Sequence, residues 1–340
     1  VQGAAAAVQG IEALIRGDIT VRPLQALHTA LRASPRIQRA ERVYPVPSNP
    51  AQSAECGFGV RLRAAVAARG VLCAGIDPHP GLLREWGLSD DVAGVERFAL
   101  GAVEALAPEV AVVKPQSAFF ERHGAQGVAV LERVLAAARD AGALVLLDVK
   151  RGDIGSTMSG YAEAYLSDGA PLAADAITVS PYLGVGALDP AFELAGRTSR
   201  GVFVLALTSN PEGADVQAAI TGTGCTVAQS VIDAVAVRNA RHLGDFGVVV
   251  GATTAAGALG FEALNGPILV PGIGAQGACL ADLPQVFGAA SRHVLPTTSR
   301  ELLRHGPEPV SLRHAVRRMA DEATELLRLP SRQVNGGTPR

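Results

Sequence analysis

The 340-residue chain is 48% hydrophobic and only 18% charged, with a formal net charge of -2. That balance excludes an intrinsically disordered chain and gives no global attraction to nucleic acid or anionic lipid. The length accommodates one large domain or two small ones.

Residues 1–55 differ in pattern from the remainder of the chain. The stretches AAAAVQGIEALIRGDI and PLQALHTALRAS have the period of short amphipathic helices, and YPVPSNPAQSAE has the composition of a linker. Residues 4–33 resemble the C-terminal tail of the carbamoyl-phosphate synthase large subunit, a segment too short to carry that enzyme's chemistry. Residues 1–55 are therefore expected to form an N-terminal helical and linker extension. The opening VQGAAAAVQG has no basic segment ahead of an apolar one, so it does not read as a secretory signal.

Eight short β-branched runs come next: VLCAGID, VAVVKP, ALVLLDVK, DAITVSP, GVFVLALT, FGVVVGAT, GPILVPGIG and RHVLPT. Stretches of helical period, such as GVAVLERVLAAARDAG, lie between most of them. Continuous apolar strands alternating with helices imply parallel strands buried on both faces. The predicted fold class is α/β, a (β/α)8 TIM barrel over residues 56–328, with an open doubly wound sheet as the alternative. Residues 329–340 are expected to form a disordered tail.

In such a barrel the chemistry belongs at the C-terminal strand ends. One of these reads LLDVKRGDIGST, from Leu146 to Thr157. Side chains alternate along a strand, so Asp148 and Lys150 are expected to share the side facing the barrel mouth. Asp153 lies three residues beyond, and Gly152 and Gly155 permit a sharp turn. Carboxylates beside an ammonium favour its charged form, so Lys150 is cast as a proton donor and a poor Schiff-base nucleophile. Asp77 and Lys114 end two further strands. The Gly-rich turn PGIGAQG after the seventh run and Arg300 after the eighth suit a phosphate. His79 in DPHP reads as part of a rigid turn. Ser209 is either a contact to a ring carrying both N–H and C=O groups or a helix N-cap.

DVKRGDIGST, with AGIDPHP before it and PGIGAQG after it, resembles the orotidine 5'-phosphate decarboxylase family in its longer, mycobacterial-type branch, over roughly Gly57 to Leu327. The resemblance implies a cofactor-free and metal-free loss of CO2 from orotidine 5'-monophosphate (OMP), giving uridine 5'-monophosphate (UMP). It assigns Asp148, Lys150 and Asp153 to the charged array, Lys114 to a bridge between Asp148 and the ribose, and Asp77 to a ribose hydroxyl. Ser209 falls to the pyrimidine, and Gly272, Gln276 and Arg300 to the phosphate. Asp153 and Thr157 are implied to reach the partner subunit's site in a homodimer. The polar segment NPEGADVQAAITGTG is expected to act as a lid.

Two rivals remain. One is a Mg2+-dependent sugar-phosphate lyase or aldolase of a related barrel group, which needs a further acidic ligand that the strand ends do not obviously supply. The other is a nucleotide-binding barrel without catalysis, which the full charged array disfavours. Cys56, Cys73, Cys225 and Cys279 form no C-x-x-C pair and read as thiols of a reducing compartment. The uncharged stretch from Ala263 to Ala281 is broken by glycines and two prolines, against a membrane span. The basic cluster in RHAVRRMADEATELLR reads as a solvated helix face and not as a nucleic-acid site. The expected location is the cytoplasm.

Overall fold

The computed structural model describes residues 57–240, 244–252, 254–274 and 277–328. The expected N-terminal extension, Cys56 and the expected tail lie outside these residues. Eight parallel strands close into a barrel in sequence order. They are β1 Cys73–Ile76, β2 Val112–Pro115, β3 Leu144–Arg151, β4 Ala176–Val179, β5 Gly201–Leu207, β6 Phe246–Val250, β7 Ile268–Val270 and β8 Val294–Thr298. Each coincides with one of the eight apolar runs, β3 and β8 extending one residue past theirs. Pairing of Cys73 with Thr297 joins β1 to β8, and this closure rules out the open doubly wound sheet.

Alternation sorts the strand residues into two layers. Val112, Leu146, Ala176, Phe203, Val249, Leu269 and Leu295 fill the barrel interior. Their neighbours one position along, such as Val113, Leu147, Ile177 and Val204, pack outward against the helices. A side chain of either kind leaves water, which explains why the runs are apolar throughout and not alternating. The N-terminal end of the barrel is plugged by the helix Phe58–Arg69, where Phe58 meets Phe203 edge to face at 5.9 Å.

The outer helices show ordinary start signals. Asp91 Oδ1 accepts from Gly94 N at 2.8 Å ahead of Val92–Leu106, and Thr226 Oγ1 accepts from Gln229 N at 3.1 Å ahead of Val227–Asn239. Helix Gly124–Asp140 buries Val130, Leu131, Val134, Leu135 and Ala138, one stripe of a 3.6-residue period. The basic cluster near the C-terminus lies on Pro309–Arg328, whose Leu312, Val316, Ala320, Ala323 and Leu327 face the core while Arg317 pairs with Glu109 at the surface. None of the described helices is long and apolar enough to cross a membrane.

Candidate active site

The C-terminal mouth of the barrel holds a cavity of about 340 Å3. Its wall is set by the strand alternation. Each interior-facing row, continued by two residues, reaches the mouth: Asp77 after β1, Lys114 and Gln116 at β2, Asp148 on β3, Thr178 on β4, Leu205 on β5, Val249 on β6, Pro271 after β7, and Thr297 with Ser299 at β8. Lys150, Ser209, Gly272 and Arg300 line it as well.

Asp148 is the hub. Lys114 Nζ and Gln116 Nε2 each donate to Oδ2 at 3.0 Å. Lys150 Nζ donates to Oδ1 at 2.7 Å and Thr178 Oγ1 to the same oxygen at 2.8 Å. Four donors meet the four acceptor positions of a carboxylate, so the group is saturated and fixed in orientation. Burial opposes its charge, but Lys114, Lys150 and the hydrogen bonds outweigh burial and hold the carboxyl well below its usual range. Burial likewise opposes charge on Lys114, and the Asp148 and Asp77 carboxylates overcome it and raise its pKa. Both groups are therefore ionised at neutral pH. The two ammonium groups differ in exposure: the Lys114 side chain is 8% exposed and that of Lys150 45%. Lys114 is held within the wall and shows the cavity only a small part of its side chain, whereas Lys150 faces the open cavity.

A break in the sheet delivers Asp148 and Lys150 to the same spot. Leu147 pairs with Ile177, yet the next pairing is Arg151 with Val179. Three residues of β3 thus face the single Thr178 of β4. Lys150 takes a left-handed backbone, φ +46°, in this bulge. The expectation of a regular strand reached the right pairing by the wrong geometry. Gly152 is needed just beyond, since a Cβ there would lie 2.4 Å from the Ser180 carbonyl oxygen.

The remaining expected residues divide. Asp77 Oδ1 is buried and meets no hydrogen-bond partner among the described residues, and Ser299 Oγ is in the same condition. Both line the cavity, so each is a polar atom suited to a ligand hydroxyl or amide. Gly272 and Gly274 have φ of +93° and +78°, turning the chain after β7 beside Arg300. Gln276 lies outside the described residues. Ser209 sits on the wall after β5. His79 caps the helix Pro80–Glu85 through Nδ1, accepting from Gly81 N at 3.1 Å, as expected of a turn residue.

Asp153 and Thr157 do not line this cavity. The Asp153 carboxylate accepts from Ile154 N at 2.8 Å, and Thr157 is exposed on the helix Gly155–Leu166. In this chain Lys150 therefore meets Asp148 and not two flanking carboxylates. The bulge lets the chain leave the barrel after Lys150 and carries Asp153 to the rim. That rim is apolar and open: Ile154, Tyr182 and Leu183 are 61%, 83% and 53% exposed. Ser180 lines no part of the cavity, and its hydroxyl donates to the Lys150 carbonyl at 3.1 Å. In the segment expected as a lid, Gln217 holds Thr208 by accepting from its N–H and donating to its Oγ1, both at 2.8 Å.

Sequence reasoning missed Gln116, Thr178 and Ser299. Each carried a signal, being a polar residue on the inward-facing row of a strand or its continuation. Burial pushes the Cys73 thiol up to about 12, so it is a neutral group beneath the charged hub.

Residues 70–310 match the family described as "Orotidine 5'-phosphate decarboxylase / HUMPS family". The chain is 62% identical over 264 residues to orotidine 5'-phosphate decarboxylase of Salinispora tropica, covering 77% of this chain and 95% of that protein. To the protein of the same name from Streptomyces coelicolor it is 59% identical over 267 residues, 78% of this chain and 96% of the other. A crystal structure of the Streptomyces avermitilis counterpart superposes with a TM-score of 0.78 at 58% identity, covering 80% of this chain and 96% of that one.

Proposed function

The chain belongs to the orotidine 5'-phosphate decarboxylase / HUMPS family, and from that premise we infer that it is the enzyme that converts OMP to UMP and CO2, the last step of UMP synthesis. The observation that carries the mechanism is the contact of Lys150 Nζ with Asp148 Oδ1 at 2.7 Å, at the mouth of the barrel. The bond from C6 to the carboxylate breaks, CO2 leaves, and the electron pair stays on C6. The Lys150 ammonium stabilises that charge as it develops and then gives its proton to C6. Asp148, already holding four donors, keeps Lys150 aimed; it has no free acceptor position with which to act as a base.

So difficult a step requires a barrier reduction on the order of 20 kcal/mol, which one ammonium cannot supply. The rest comes from binding the phosphate at Gly272, Gln276 and Arg300, the ribose at Asp77 and Lys114, and the pyrimidine at Ser209. That binding closes the lid over residues 210–224 and excludes water. The enzyme works as a cytoplasmic homodimer in which Asp153 and Thr157 serve the partner's ribose site. Their absence from the lining of this cavity and the exposed Ile154, Tyr182 and Leu183 beside them support this arrangement. The DVKRGDIGST run supports membership of the longer, mycobacterial-type branch.

The test is the fall in absorbance as OMP becomes UMP, with wild type and Lys150→Ala compared. Wild type turns over, and the variant folds but does not. Full activity in Lys150→Ala, or none in the wild type, refutes the assignment.

A further inference from the structure

We infer that Thr178 is a positioning residue that seats the Lys150 ammonium against Asp148; the inference rests on the decarboxylase reading. One oxygen makes both connections. Thr178 Oγ1 accepts from the Lys150 backbone N–H at 3.0 Å and donates to Asp148 Oδ1 at 2.8 Å. A hydroxyl has one hydrogen. Committing it to the carboxylate leaves the lone pairs for the amide, so the main chain of Lys150 and the side chain of Asp148 are tied through a single atom.

The tie is needed because the bulge is not self-supporting. Lys150 occupies a backbone region that L-residues enter at a cost. Across the bulge no regular ladder holds it, since Leu147–Ile177 and Arg151–Val179 are the flanking pairs. β4 and its continuation grip it on both sides instead: Thr178 takes the N–H, and Ser180 Oγ donates to the C=O at 3.1 Å. Thr178 is itself immobile, being 1% exposed and β-branched. The site therefore sets the height of the Lys150 nitrogen from β4, although Lys150 belongs to β3. Valine matches threonine in shape but lacks the hydroxyl. It would leave the amide without this acceptor and Oδ1 with one donor fewer.

The test uses intact enzyme carrying Thr178→Val and Thr178→Ser. Thr178→Val is expected to lower kcat at least tenfold while the KM for OMP and the Kd for UMP change less than threefold; Thr178→Ser returns kcat to within threefold of wild type. The second readout is the carboxyl carbon signal of Asp148 by NMR. The Thr178 hydrogen bond is among the interactions that hold this carboxyl low, alongside Lys114 from β2 and Lys150. Its titration moves to higher pH in Thr178→Val and returns in Thr178→Ser. A Thr178→Val enzyme within twofold of wild type, a loss that serine does not restore, or an unmoved Asp148 titration overturns the inference. If Thr178→Val does not fold, Thr178→Cys replaces it with the same criteria, its thiol being a weak donor. The Asp148 signal needs no turnover, so a wild type inactive on OMP refutes the decarboxylase reading while the role of Thr178 is still judged.

Discussion

Replacing Asp148 by Asn tests the charged hub with almost no change of shape. The amide keeps one acceptor oxygen and turns the other into a donor, which must face either Lys114 with Gln116 or Lys150 with Thr178. The cost resides mainly with Lys114. Its side chain and that of Asp148 are 8% and 9% exposed, so the variant leaves a buried ammonium without its counter-charge. Breaking such a pair from one side costs about 3–5 kcal/mol. The Lys150 contact adds no more than about 1 kcal/mol, because that ammonium is half in solvent. At about 2–4 °C per kcal/mol for a domain of this size, Tm should fall by roughly 10 °C at pH 7, read by circular dichroism. Turnover should fall about 10²- to 10³-fold as Lys150 loses its alignment. The sign with pH is set by the depressed Asp148 carboxyl. Its stabilisation is present above the unfolded value near pH ~4 and is lost as pH falls through the lower folded value, so the gap between wild type and variant narrows in acid. A variant that melts within a degree or two of wild type at pH 7 would show that no charged pair spans these residues.

Arg300→Ala should raise KM and lower kcat on OMP while changing little with the phosphate-free nucleoside; equal kinetics on OMP would remove Arg300 from the phosphate site. Mixing inactive Lys150→Ala and Asp153→Ala chains after co-refolding should restore about a quarter of wild-type turnover if sites are shared across a two-fold dimer. Activity that stays absent after mixing argues for sites built from one chain. Turnover should be indifferent to EDTA, and a loss restored by Mg2+ would instead favour the lyase reading.

Much of the site was legible because strand alternation is a rigid rule. The residues Asp77, Lys114 and Asp148 could be placed at strand ends from the apolar runs alone, and the cavity wall repeats that placement. Gln116, Thr178 and Ser299 obey the same rule less visibly. Thr178 lies inside AITV, where a threonine reads as an ordinary β-former, and Gln116 comes after a proline that ends its strand. The bulge was not legible at all. Nothing in LLDVKR distinguishes a regular strand from one in which three residues face a single neighbour, since either geometry brings positions 148 and 150 inward. Yet the two geometries differ chemically. In a regular parallel strand, residues two apart stand about 7 Å apart along the chain, at successive levels of the barrel. The bulge brings Lys150 back to the level of Asp148, so that an ammonium and a carboxylate from one strand touch at 2.7 Å while a second ammonium from β2 closes the other side. The contact between Lys150 and Asp148 thus goes with a local departure from the repeat that made the fold readable, and a hydroxyl on the neighbouring strand bonds to both residues.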